Sequence, residues 1–343
     1  MGLRVSVLAS PLADLARAVA ANWDMVRDPD CWAPMTIGRY HLDFELGRGA
    51  FGVVFSGFDP AIERDVAIKV FYAPDSSSDH ARREARMLAG LCHPNIVTLH
   101  DYDREGELEY LVFELVDGDN LGECMRDLDW RETLALFIDA GRGLAAVHRA
   151  GLVHSDVKPS NILVSNDHHA LLADFGSAFD LARRRTDERR PGGTHAYMAP
   201  EYFVNWSIDA RADQFAFCMS VWEGLFGIRP WAEHEFEFEG VYSGVHEPNK
   251  LDTPTDLPGS VEQALRRGLS SKPGERFGTI DDLLQALIPA ATGTIFDLQR
   301  NGSTHREGLR DGPSLNHTAT GQASDLVGAL PQRPMVPRHS GAR

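Results

Sequence analysis

His154-Ser155-Asp156-Val157-Lys158-Pro159-Ser160-Asn161 sets a carboxylate, an ammonium and an amide within one short stretch. Asp156 can accept a proton from a hydroxyl, Lys158 can neutralise a phosphoryl group in motion, and Asn161 can ligate a divalent cation. Pro159 stiffens the loop that must keep these groups in register. An ordinary polar turn would not explain D-x-K-x-x-N placed just ahead of the apolar run 162–164. A further apolar segment, 170–173, leads into Asp174-Phe175-Gly176. A carboxylate there suits a hard cation such as Mg²⁺, which takes oxygen ligands and bridges phosphates.

Upstream, Gly47-Arg48-Gly49-Ala50-Phe51-Gly52-Val53-Val54 is a G-x-G-x-x-G between two strand-like segments. Glycines permit tight turning and let backbone amides approach a phosphate closely. Alone, the pattern is no more specific than a hairpin turn. A dinucleotide-binding unit would need a helix after it, and 53–58 reads as strand, which argues against that fold. Val66-Ala67-Ile68-Lys69 then puts a lysine on a buried-looking strand. Glu84, on the apolar side of the next helical stretch, can hold that ammonium toward phosphates. Together these groups fit phosphoryl transfer, which asks for positioning and charge stabilisation rather than covalent chemistry.

Such groups need two kinds of scaffold, and the hydrophobic pattern supplies both. Residues 40–46, 52–59, 65–71, 97–103 and 110–115 read as strands. One helix interrupts them at 80–91, capped by serines and Asp79, with Glu84, Leu88 and Leu91 on one face. After Asp117 the pattern turns helical, at 130–150, 213–227, 260–269 and 279–287. A strand-rich part followed by a larger helical part predicts a cleft between them. Before it, 1–37 reads as an extension with an amphipathic helix started at Ser10-Pro11 and striped by Leu8, Leu12, Leu15 and Val19. After it, 291–343 is rich in Gly, Pro, Ser and Thr without periodicity and reads as a mostly disordered tail.

Composition narrows the partners. The 343 residues are 43% hydrophobic, enough for a substantial core, and the formal net charge of −16 repels a phosphate backbone, so no nucleic-acid partner is read. No stretch approaches the length of a membrane span. Cys31, Cys92, Cys124 and Cys218 lie far apart, so neither a disulfide framework nor a zinc site is indicated, and a cytoplasmic home is expected. Oligomeric state is not legible.

The ordered set of segments, ending in Gly193-Thr194-His195-Ala196-Tyr197-Met198-Ala199-Pro200-Glu201, Asp213 and Arg276, resembles the eukaryotic-type (Hanks-type) protein serine/threonine kinases. Gly38-Arg39-Tyr40 and Lys158-Pro159-Ser160-Asn161 resemble their bacterial members, and the resemblance spans about 38–288. It implies an α+β, two-lobed protein-kinase fold: a small antiparallel-sheet N-lobe with one main helix over 38–116, and a larger, mostly helical C-lobe over 117–290. It also implies ATP, Mg²⁺ (or Mn²⁺) and protein substrates with Ser or Thr acceptors. Lys69 becomes the phosphate-contacting lysine, Glu84 its helix partner and Asp156 the catalytic base assisted by Lys158; Asn161 and Asp174 become metal ligands. ATP would be held by Gly47, Arg48, Gly49, Ala50, Phe51, Gly52 and Asn120. Val54, Ala67 and Leu163 would sandwich the adenine, with Phe113 as gatekeeper and Glu114 and Val116 offering backbone hydrogen bonds. Leu88, Leu99, His154 and Phe175 would stack as a spine between lobes. Glu201 and Arg276 would form a buried ion pair, and Asp213 would anchor the catalytic loop.

One position departs from the commonest pattern. Ser155 stands where most members carry an arginine that pairs with a phosphate on the activation segment, 174–201. Serine cannot form that bidentate pair, so activity is expected not to depend on phosphorylation there. The segment's basic run, Arg183-Arg184-Arg185 and Arg189-Arg190, surrounds Thr186 and reads as a solvated loop in preference to a dock for acidic substrates. Thr194 is expected to brace Asp156. A pseudokinase would be expected to lack Lys69, Asp156, Asn161 or Asp174, and all four are present. A small-molecule kinase would share the catalytic loop but not Lys158 or the segment ending in Glu201.

Overall fold

The computed structural model describes residues 35–49, 52–73, 80–182, 193–204, 208–231, 248–250 and 253–291. Its first part is a six-stranded sheet of β1 (Met35–Ile37), β2 (Tyr40–Gly49), β3 (Gly52–Asp59), β4 (Arg64–Tyr72), β5 (Leu99–Glu105) and β6 (Leu108–Glu114). The strand order is β1-β2-β3-β4-β6-β5, and every pairing is antiparallel.

Period-two alternation sorts β4 and β6 onto two faces. Val66, Ile68 and Val70 join Tyr110 and Val112 in one apolar cluster with Tyr40 and Phe55. Ala67, Phe71, Leu111 and Phe113 belong to the other cluster, which runs on into the helical part. Lys69 lies in phase with this second face, so the strand that builds the core also aims the ammonium at the junction of the two parts. Helix α1 (His80–Leu88) covers the same face, burying Ala81, Glu84, Ala85 and Leu88 at helical spacing.

The second part contains β7 (Gly118–Asn120), α2 (Leu121–Cys124), α3 (Trp130–Arg149), β8 (Leu152–Val153), β9 (Ile162–Ser165), β10 (Ala170–Leu172), β11 (Phe179–Asp180), α4 (Glu201–Val204), α5 (Ala210–Phe226), α6 (Gly259–Gly268) and α7 (280–291). Asp129 starts α3 with a capping box: its carboxylate accepts from the amides of Arg131 and Glu132, and Glu132 accepts from the Asp129 amide. Helix α5 is buried almost all round, from Ala212 to Phe226, and stops at Gly227, whose φ of 71° favours glycine. Two small sheets, β10-β9-β7 and β11-β8, pin the loops between α3 and the activation segment.

The two-lobed architecture agrees with the expected class, while several boundaries move. Met35–Ile37 pairs with β2, so the sheet begins inside the stretch read as an N-terminal extension. Strand β2 runs on through Gly49 because the glycine-rich segment continues its pairing with β3. Helix α1 stops at Leu88, short of the expected 91, and Gly90 follows. Helix α7 reaches residue 291, where Ala291 is buried, so it continues past the boundary read at 290. The rest of the 1–37 and 291–343 expectations, with Ala50, Phe51, Cys31 and Thr186, lies outside the described residues. Among the described residues no helix is long and apolar enough to cross a membrane.

Candidate active site

Three charged side chains from three elements meet where the two parts join. Lys69 Nζ on β4 lies 2.9 Å from both carboxylate oxygens of Glu84 on α1 and 2.7 Å from Asp174 Oδ1. Lys69 and Glu84 are 8% and 2% exposed, so neither charge could remain there alone. Burial pulls the Lys69 ammonium down, but the carboxylates of Glu84 and Asp174 outweigh it and hold it raised. For Glu84, burial dominates and its carboxyl is raised despite Lys69. Asp174 goes the other way: its partial burial is outweighed by Lys69, and it is held below the ordinary carboxylate value.

The catalytic-loop candidates are locked by their own network. Asp156 Oδ1 accepts from the Thr194 amide at 2.7 Å, and Oδ2 accepts from Lys158 Nζ at 2.9 Å and Asn161 Nδ2 at 3.0 Å. Lys158 Nζ also donates to Thr194 Oγ1 at 2.6 Å. Asn161 Nδ2 donates to the Asp156 carbonyl too, so the amide nitrogen is engaged and Oδ1 is presented as an oxygen ligand. The Ala173 amide donates to the Asn161 carbonyl at 2.9 Å, which sets Asp174 beside the Asn161 backbone. The Asp174 carboxylate remains 44% exposed at the junction. An amide oxygen and a carboxylate oxygen fit a hard divalent cation, whose remaining positions phosphate oxygens and water can fill.

Asp213 on α5 anchors the loop from beneath. Its carboxylate accepts from the amides of His154 and Ser155, each at 2.8 Å, and approaches His148 Nε2 at 2.8 Å. The His154 ring meets Phe175 edge-on with centroids 4.8 Å apart, and Leu88 and Leu99 pack in the same cluster. Arg276 donates to both oxygens of Glu201, at 2.6 and 2.8 Å, and to the Arg211 carbonyl.

Of the residues expected around a nucleotide, those described come from both parts of the fold. Val54, Ala67 and Leu163 are each only half-buried, whereas their strand neighbours Val53, Val66, Ile68, Ile162 and Val164 are buried, leaving these three with a face to offer. Register pairs Val54 with Lys69 and Ala67 with Phe113. The Glu114 amide is taken by the Thr98 carbonyl at 3.0 Å. Val116 follows, half-buried, between β6 and β7. Asn120 Oδ1 caps α2 by accepting from the Glu123 amide. Arg48 pairs with Glu45 along β2, at 2.8 and 3.1 Å. The three glycines divide by environment. A Cβ on Gly52 would sit 2.4 Å from the Val70 carbonyl oxygen, whereas Gly47 and Gly49 face open space.

Contacts that residue type alone could not announce include His148 with Asp213, Lys69 with Asp174, and the Tyr202 hydroxyl on Ser155 Oγ at 2.9 Å. Residues 40–287 match the family model for the protein kinase domain. The serine/threonine-protein kinases PknH and PknE of Mycobacterium tuberculosis (strain H37Rv) are 32% and 34% identical over 265 and 262 residues. Each match covers 73% of this chain, and 41% and 45% of those proteins. PknA of strain H37Ra is 33% identical over 269 residues, covering 75% of this chain and 62% of that protein. The matched stretch thus spans less than two thirds of each of these relatives. With a glycine-rich strand pair, a lysine–glutamate pair and an anchored catalytic loop in one fold, the chain belongs to the protein kinase family, among relatives of the bacterial Hanks type.

Proposed function

We propose that the chain is an ATP-dependent protein serine/threonine kinase. The observation that carries this reading is the meeting of Lys69, Glu84 and Asp174 within 2.9 Å, a buried ion pair with a part-exposed carboxylate beside it. In the reaction, a substrate hydroxyl oxygen attacks the γ-phosphorus of ATP, the bond to the β–γ bridging oxygen breaks, and ADP leaves. Asp156 accepts the hydroxyl proton, and the bonds from Thr194, Lys158 and Asn161 fix its carboxylate for that task. Lys158, already beside Asp156, offers its charge to the phosphoryl group in flight. Lys69, oriented by Glu84, contacts the α- and β-phosphates. Gly47 and Gly49 give the backbone room to approach them. Val54, Ala67 and Leu163 bracket the adenine below the Phe113 gatekeeper. Mg²⁺, with Mn²⁺ as the alternative, would be held by Asn161 and Asp174 and would neutralise phosphate charge.

Serine and threonine acceptors are favoured by Lys158 and by the similarity to serine/threonine-protein kinases. The free thiols Cys92, Cys124 and Cys218 fit a reducing compartment, and we place the protein in the cytoplasm. Ser155 in place of arginine leaves the catalytic loop without a guanidinium for a phosphate, so phosphorylation of the activation segment is not required. The test is transfer of labelled phosphate from Mg·ATP to a general acceptor protein, followed by phosphoamino-acid analysis. Phosphoserine and phosphothreonine are expected from the native protein and a loss of about 10³-fold or more from Asp156→Asn. Equal transfer by Asp156→Asn would refute the assignment.

A further inference from the structure

Ser155 is buried, and its φ of 67° is left-handed, a conformation that non-glycine residues hold only when neighbours impose it. Three contacts impose it here. The Ser155 amide donates to Asp213 Oδ1 at 2.8 Å. Its side-chain oxygen accepts from the hydroxyl of Tyr202, itself buried on α4, at 2.9 Å. Its carbonyl lies against Gly193, where an added Cβ would sit 2.6 Å from the oxygen. The next residue is Asp156, held by Thr194. From Gly193 to Tyr202, then, one segment touches Ser155 and Asp156 in turn.

Hydrogen bonds mark this buried corner. A small cavity bordered by Ser155, Asp156, Thr194, Met198, Tyr202 and Asp213 lies beneath the loop. The serine side chain is short, and its hydroxyl lies within hydrogen-bond distance of the Tyr202 hydroxyl.

We infer that Tyr202 is a positioning residue for the phosphoryl-transfer site. Through Ser155 Oγ it ties α4 to the catalytic loop and sets the backbone from which Asp156 projects, with no phosphate needed to make the tie. This rests on the reading of Asp156 as the proton acceptor.

The test combines steady-state kinetics of Tyr202→Phe, Ser155→Ala and the double variant with hydrogen exchange at residues 154–156. Asp156→Asn is the control for the underlying reading. Each single variant should lower kcat about tenfold, the scale of one orienting hydrogen bond, with KM for ATP within about twofold. The double variant should be no worse than the singles, since both remove the same bond. The Ser155 amide should exchange faster in all three. A role in stability alone would lower Tm without this split between kcat and KM. Should Tyr202→Phe fail to fold, Ser155→Ala decides. Values of kcat within about twofold of native in both single variants, or losses that multiply to about a hundredfold in the double, would overturn the inference. If Asp156→Asn instead works as well as native, the kinase reading fails. Hydrogen exchange then decides the tie by itself: unchanged protection at Ser155 refutes it and lost protection supports it.

Discussion

Lys69 and Glu84 show what one side chain asks of its neighbours. Each is buried with a charge, and each is tolerable only because the other is there. This pairing was legible in the sequence, since a glutamate on the apolar side of a helix needs a cation. The third partner was not: the contact of Lys69 with Asp174 joins positions 105 apart, and neither residue type announces it. Lys69→Met and Asp174→Asn should each lower kcat by roughly 10² to 10⁴, about 3–5 kcal/mol of transition-state stabilisation, while the protein stays folded. A variant keeping more than about a tenth of native kcat would contradict the roles given to these residues. Lys69→Met should also make stability pH-dependent. Burial already holds Glu84 above the ordinary glutamate value, and loss of the ammonium raises it further. The folded state then binds a proton that the unfolded state releases, over the window from the ordinary glutamate value up to the raised one. Relative to native protein, the Tm of Lys69→Met should therefore fall as pH rises through that window. A parallel pair of Tm–pH curves would show that Glu84 finds another partner.

At the scale of elements, alternation and helical stripes carried most of the information. Strand β3 has the span read from its pattern, and β4 and β6, whose two faces are buried in two clusters, fall close to theirs. The short elements escaped: β1, β7 and α2 are too brief for a period to register, and tertiary pairing defines them. Sequence also treated the glycines of the loop as equivalent, and the structure separates them. Gly52 is glycine because β3 and β4 approach too closely for a Cβ beside the Val70 carbonyl. A Cβ on Gly47 would meet nothing within 4 Å, which fits our proposal that ATP approaches the backbone there. Gly52→Ala should cost about 1–3 kcal/mol as the strands shift, lowering Tm by several degrees. Gly47→Ala should leave Tm within about two degrees and raise KM for ATP several-fold. Thermal unfolding and nucleotide titration of the two variants test this division, and an equal loss of Tm in both would remove it.

For the molecule as a whole, the switch from period-two to helical patterning near Asp117 foretold the two lobes. How the activation segment is held was not foretold. From its sequence one sees only that Ser155 replaces an arginine and that Thr186 sits among arginines. In the structure the far end of the segment and the residue after it are fastened by bonds that carry no phosphate: Thr194 to Asp156 and Lys158, and Tyr202 to Ser155. Tyr197 adds a bond of 2.6 Å to Glu223 on α5. We propose that a phosphate on Thr186, whose nearby arginines lie in its own segment of the sequence, is not needed to fasten that segment to the catalytic loop. Thr186→Ala, and protein treated with a phosphatase, should therefore both retain kcat within about threefold of untreated enzyme, a barrier change below about 1 kcal/mol. The measurement is kcat and KM for ATP after mass spectrometry has established the phosphorylation state of each sample. A fall of roughly a hundredfold in Thr186→Ala with KM for ATP intact would mean that another basic residue supplies the role Ser155 cannot, and that the hydroxyl ties alone do not hold the segment in its working position.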